Sequence, residues 1–211
     1  MDAREVLYTT RAMRRLRPDP VPEDVLQRIL DAAIRAPCGG NEQSWRFLVV
    51  RDRTTLAALG PHYRAALREL YGDAARRFPP GTAQRNYASA VYLAEHFEDI
   101  PTCVFGYRAS RDPQWDGATM YPALWQICLA ARIEGVGSTM TTLLAGPSTA
   151  ANVDALLGVP SEGGWRQFGM VPLGYPLGRW GVPDRQPVAR VAFADRWGNE
   201  LVLAHGSEER E

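Results

Sequence analysis

Lysine is absent: all 24 basic residues of this 211-residue chain are Arg. That excludes Schiff-base chemistry, attachment of pyridoxal phosphate and a P-loop lysine. Anions must be held by guanidinium groups, which suit planar, bidentate recognition of phosphate. A GC-rich genome accounts for such a skew, so Arg abundance alone marks no site. Net charge is also missing, with 24 basic against 24 acidic residues. No global field draws the chain to nucleic acid or to an anionic membrane, and neither is expected as a partner. Cysteine is scarce: Cys38, Cys103 and Cys128 are odd in number and widely spaced, with no CxxC and no secretory apolar segment at the N-terminus. A reducing cytoplasm fits that usage. The longest charge-free stretch, about residues 135–153, is broken by Gly135, Gly137, Gly146 and Pro147, far from the roughly 20 apolar residues of a membrane span. A soluble protein is expected. What is present is ordinary: 45% apolar and 23% charged residues, near the usual roughly 45–50% and 25%, so disordered, collagen-like and disulfide-scaffold classes are excluded.

The pattern along the chain predicts a mixed α and β domain. A short helix runs from Asp2 to about Tyr8 into the cluster Arg11, Arg14, Arg15 and Arg17. Pro22, Glu23 and Asp24 suit a helix start, and Val25, Leu26, Ile29, Leu30, Ala33 and Ile34 recur at helical spacing up to Ala36-Pro37. A loop at Cys38-Gly39-Gly40-Asn41 leads into a strand at 46–50. Residues 54–98 read as two helices interrupted at Gly72 and at Phe78-Pro79-Pro80-Gly81, polar enough for a lid. A second strand follows at 102–107, a turn-rich crossing at 112–117, and a nearly uncharged helix from about Ala118 to Ile133. Thr139 to Leu144 is expected to be extended, Ser148 to cap a helix ending at Gly158, and 168–175 to form a strand. A Gly, Pro and Arg loop at 177–187 precedes a tail with Val188, Val191, Phe193, Trp197, Leu201 and Leu203 that needs another surface to cover it.

Two segments carry chemistry. The run Thr10-Arg11-Ala12-Met13-Arg14-Arg15 offers guanidinium forks for a phosphate or carboxylate, against the plainer reading of a solvated helix end. In Pro37-Cys38-Gly39-Gly40-Asn41-Glu42-Gln43-Ser44-Trp45, paired glycines allow close backbone approach to a flat ligand, and Asn41 and Gln43 can donate and accept at a heterocycle edge. An ordinary tight loop is the alternative. Other constellations fail. Gly135-Val136-Gly137 lacks the third glycine of a dinucleotide fingerprint and follows a helix. His62, His96 and His205 show no signature with Cys38 as nucleophile, and no metal-ligand motif occurs. Trp115, Trp125, Trp165, Trp180 and Trp197 are expected as core or interface anchors.

In this order, the Arg-rich run, the turn Pro18 to Pro22, and the loop Ala36 to Phe47 resemble the opening of the flavin-dependent nitroreductase family. Ala130 to Ser138 followed by Thr141-Thr142-Leu143, and Val171 to Pro176, are similar to its later segments. Ala12 and Cys38 stand where many members have Ser, and Ser44 where Pro is usual; the first removes a hydroxyl that often helps hold the flavin. The resemblance implies an α+β three-layer α-β-α sandwich with a central, mainly antiparallel sheet, in a homodimer with exchanged terminal arms. It implies one domain over 1–211, with a possible helical lid at about 60–117. Arg11 and Arg14, with backbone from Ala12 and Met13, would hold the phosphate and ribityl chain of FMN, and Arg185 would be a second phosphate clamp. Pro37, Cys38, Gly39, Asn41 and Gln43 would pack on the flavin of the partner subunit, and Thr141, Thr142 and Leu143 would line the opposite side. Tyr92 and Glu95 follow from a looser match. The implied activity is ping-pong transfer of hydride from NADH or NADPH, through FMN, to a small electron-poor acceptor such as a nitroaromatic or quinone. No side-chain acid or base is required, because the cofactor carries the chemistry. A flavin-sequestering protein with little turnover, and a specialised dehydrogenase or dehalogenase on the same scaffold, are the alternatives.

Overall fold

The computed structural model describes residues 1–72, 78, 80–109 and 112–202. Leu203 and His205 lie outside the described residues. Two compact units divide the chain, Met1–Gly181 and Val182–Glu211.

The first unit is built on a four-stranded antiparallel sheet of β1 (Trp45–Val50), β2 (Thr102–Ala109), β3 (Gly137–Ser138) and β4 (Trp165–Gly174), in the order β1-β2-β4-β3. β2 is central and buried along seven of its eight residues, as a strand covered on both faces must be. Its alternate residues serve two layers. Cys103, Phe105 and Tyr107 face a cluster with Leu56, Leu59 and Tyr63 of α3 (Arg53–Tyr71), Leu93 of α4 (Thr82–Glu95) and Val153 of α6 (Ala150–Leu156). Val104 turns to Ile29 and Ala33 of α2 (Glu23–Ala33) and to Leu124 and Ile127 of α5 (Pro113–Ile133). Helices thus cover both faces of the sheet, giving the expected three-layer sandwich. Fully buried side chains such as Phe97, Phe105 and Leu124 each contribute roughly 1.5–3 kcal/mol of transfer free energy.

Local chemistry sets the ends. Asp2 caps α1 (Ala3–Thr9) by accepting from the backbone of Arg4 at 2.6 Å and Glu5 at 3.1 Å, and Asp52 caps α3 by accepting from Thr55 N at 2.7 Å. α3 ends before Gly72, whose φ is 45°, a conformation that glycine adopts without a Cβ penalty.

Four expectations are corrected. The 112–117 segment is not a turn: α5 begins at Pro113, where proline suits the first helical position, and the Asp116 carboxylate accepts from Asp112 N at 3.1 Å. Ser148 does not cap α6; Thr149 holds that position without a side-chain bond, while Ser148 Oγ donates to Glu69 at 2.6 Å. Of the stretch 139–144, Thr141 alone bridges to Met170, and a 3-10 turn, Leu143–Ala145, follows. β4 starts at Trp165, three residues before the expected 168.

In the second unit a 3-10 turn covers Val188–Arg190, Phe193 bridges Glu200, and the Phe193 and Trp197 rings lie 4.9 Å apart. Trp197 is 91% exposed and Trp115, in the first unit, 71%. Of core and interface, neither indole takes the core role.

Candidate functional site

After α1 the chain stops being helical and runs extended along the sheet margin. Met13 N donates to Ser138 O at 2.8 Å, Leu16 bridges Pro176, and Leu177 N donates to Arg15 O at 2.9 Å. Met13 and Leu16 are buried by this attachment, which leaves Arg11, Ala12 and Arg15 exposed and Arg14 half-buried. The approach is close enough to demand glycine at 137, where a Cβ would lie 2.9 Å from Leu16 Cδ2 and 3.2 Å from Met13 Cβ.

A cavity of about 170 Å³ opens beside this segment, lined by Thr10, Arg11, Ala12, Arg14, Trp125, Cys128, Ser138, Thr139 and Met140. Among the described residues no carboxylate pairs with Arg11 or Arg14, whereas Arg28, Arg64, Arg108 and Arg132 all make ion pairs within 3.1 Å. A half-buried guanidinium without a protein anion fits an anionic ligand. Burial pushes the Cys128 thiol up to about 11, so the one sulfhydryl lining this cavity is a neutral wall and not a nucleophile.

Tyr63 belongs to the core cluster on which Leu143 packs. It projects from α3, is 2% exposed and packs on Phe97 with centroids 4.9 Å apart. Burial raises its phenol above the ordinary value, while a hydrogen bond from the Thr141 side chain and the charge of Arg14 pull it the other way. Thr141 is fixed on its backbone side as well, exchanging bonds with Met170 at 3.0 and 2.8 Å. A Cβ on Gly169 would sit 2.9 Å from Thr141 O. Thr141 Oγ1 accepts from Leu143 N at 3.4 Å, and Thr142 is exposed. Tyr63 has no local motif; its neighbours come from segments about 50 and 80 residues away, so no sequence signal marked it.

The other candidates fall in different places. Tyr92 on α4 meets the Arg segment, with the Arg15 guanidinium 4.4 Å over its ring and His96 stacked at 3.9 Å. Glu95 instead lines a cleft of about 510 Å³ between α3 and α4, with Arg64, Arg68, Tyr71 and Tyr87. Arg185 lies in the second unit, where it donates to Asp184 O at 2.8 Å.

The loop from Pro37 to Gln43 forms a separate feature. A 3-10 turn, Gly39–Asn41, contains Gly40 at φ 61°, and Asn41 and Gln43 adopt φ 52° and 50°. Such non-glycine residues in the left-handed region cost about 1–3 kcal/mol each and cluster at ligand-holding segments. Gln43 N donates to Cys38 Sγ at 3.3 Å, and Gln43 Nε2 to Asn41 Oδ1 at 3.1 Å. Both amide side chains are presented on an exposed edge.

The sandwich defines an α+β protein whose sheet margin carries a cavity lined by Arg11 and Arg14. A protein-family model described as the nitroreductase family matches residues 7–175. The chain belongs to that family. It is 32% identical over 211 residues to an NADH dehydrogenase of Thermus thermophilus, covering 92% of this chain and 96% of the relative. A 5,6-dimethylbenzimidazole synthase of Rhodospirillum rubrum is 27% identical over 183 residues, covering 82% of each chain. Among solved structures, a nitroreductase with bound FMN from Desulfitobacterium hafniense superposes with a TM-score of 0.70 at 20% identity, covering 92% of this chain and 100% of that one.

Proposed function

We propose that this chain is an FMN-dependent oxidoreductase that takes electrons from NADH or NADPH and passes them to a small electron-poor acceptor, a nitroaromatic, quinone or related compound. The observation that carries the reading is the pair Arg11 and Arg14, unpaired with any carboxylate among the described residues and set beside the cavity at the sheet margin. When bound, FMN supplies the redox chemistry, and the protein supplies binding, orientation and electrostatics. Arg11 and Arg14 hold the phosphate, with Ala12 and Met13 contributing backbone. Thr141, Thr142 and Leu143 present backbone to the ring system, and Tyr63 keeps Thr141 in register. Tyr92 steadies the Arg segment through Arg15.

The site is completed by a second copy of the chain. At about 170 Å³ the cradle is smaller than the roughly 300–1,000 Å³ of a whole-ligand pocket. Next to it Trp125 and Met140 are 41% and 38% exposed, with Tyr121 one helical turn away at 43%, an apolar patch of the kind that marks an interface. Pro37, Cys38, Gly39, Asn41 and Gln43 reach the partner's flavin across that interface. β1 is an edge strand, an open margin that an exchanged terminal arm can cover. We read the whole of 1–211 as one functional domain with a helical lid within about 60–117, working in the cytoplasm. No helix among the described residues is long and apolar enough to cross a membrane. The synthase among the relatives supports a second reading, a specialised flavin reaction on the same scaffold. Anaerobic steady-state kinetics with a nicotinamide donor and a nitroarene test the first: parallel double-reciprocal lines, with turnover lost when FMN is removed, are expected. Turnover that is indifferent to FMN contradicts it.

A further inference from the structure

We infer that Arg108 is a positioning residue that holds the strained Cys38–Gln43 loop in its flavin-facing shape through Glu42. The inference rests on the reading that this loop contacts FMN. Arg108 is the penultimate residue of β2, paired with Trp45 on one side and Arg166 on the other, so its backbone is fixed by the centre of the sheet. Its side chain is only 9% exposed. A guanidinium so placed requires anionic partners, and they come from two different elements. Nε lies 2.7 Å from Asp116 Oδ1 in the first turn of α5, and Nη2 donates to Glu42 Oε2 at 2.9 Å.

The two contacts are unequal in kind. Asp116 is as buried as Arg108, at 4%, and balances its charge inside the fold. Glu42 is 45% exposed and belongs to the loop, so its bond is a tether from the loop to the sheet. Glu42 stands between the two left-handed residues, Asn41 at φ 52° and Gln43 at φ 50°. The bonds of Asn41 N to Cys38 O, Glu42 N to Gly39 O and Gln43 N to Cys38 Sγ close the loop on itself. They shape it without orienting it. The Glu42–Arg108 pair adds a directional tie to β2, because its bond is charge-assisted and the guanidinium sits beside the buried Asp116 carboxylate. Strained backbone persists only where its surroundings over-determine it, and this contact ties the loop to β2 beside the packing of Cys38 on the cluster of Trp45, Met120 and Phe168. Arg108 acts through Glu42 on the amide edges of Asn41 and Gln43.

The test uses the full-length protein with FMN as probe. Glu42→Gln keeps the Arg108–Asp116 pair and the fold, and loses the ionic tether. The expected result is FMN binding about threefold to fivefold weaker, the scale of a part-exposed ion pair, with an altered visible circular dichroism band of the bound flavin. In flavin-free protein, amide exchange at 38–43 should accelerate while β2 stays protected. Arg108→Lys, which keeps the charge opposite Asp116 but offers a point donor in place of a fork, should do the same. The double variant should bind no more weakly than Arg108→Lys alone. Glu42→Gln protein with native FMN affinity, dichroism and loop exchange overturns the inference while leaving the FMN reading intact. Wild-type protein that takes up no FMN overturns both. If Arg108→Lys does not fold, Glu42→Gln decides alone.

Discussion

Arg14 lacks the carboxylate partner that seven Arg residues have among the described residues. Arg35, for example, is spent on Asp31 at 2.9 Å along an exposed helix face, and such a pair contributes little. Arg14 is half-buried beside a cavity with no carboxylate partner among the described residues. Arg14→Ala is therefore expected to weaken FMN binding about tenfold or more, the scale of a charge-assisted hydrogen bond, and to leave the thermal midpoint nearly unchanged. Fluorescence titration and a melting curve check this, with Arg35→Ala as a control that should bind FMN normally. A second residue-scale consequence concerns alkali. The folded protein keeps the Cys128 thiol protonated up to about 11, against an ordinary value of 9.0. Between those values the unfolded chain alone releases the proton. The contribution is thus complete below pH 9 and falls by about 1.4 kcal/mol per pH unit as pH rises toward 11. Urea unfolding at stepped pH should show that loss, and Cys128→Ala should make it shallower. The buried Cys103 thiol, raised by the same cause, adds a loss of the same sign.

At the scale of elements, α5 carries two burdens. Leu124 and Ile127 are fully buried in the sandwich, while Tyr121 and Trp125 remain part-exposed beside the cradle. If the outer stripe is where two copies meet, Trp125→Glu places a charge in that contact. The variant should elute with monomeric mass in light scattering where the native protein is dimeric, and should lose flavin in proportion. The uncharged middle of α5 was legible in the sequence because burial on most sides leaves a composition signal. Its start was not, since Asp112 to Gly117 are turn formers locally, and 113–117 are helical in the fold, where the Asp116 carboxylate accepts from Asp112 N. β3 has two residues, too few for any periodicity. The boundaries of α1, α2 and β1 were readable to within two or three residues because caps and apolar spacing are local facts. In the site, the Arg run and the glycine loop were visible as motifs. Tyr63 and the Arg108 to Glu42 tether were not, because each depends on register between distant strands and helices.

On the scale of the whole molecule, a chain of zero formal charge has no net charge to pull it toward polyanions. Family membership, the sandwich and the Arg cradle fit the proposed FMN oxidoreductase with a site shared between two copies. The most direct measurement is the absorbance spectrum of the purified protein reconstituted with FMN, followed by anaerobic addition of NADH and then NADPH. The account predicts flavin bands that stay with the protein through gel filtration and bleach on addition of a nicotinamide nucleotide, the faster donor marking the preference. A protein that retains no flavin after incubation with FMN, or whose bound flavin neither nucleotide bleaches, would contradict it.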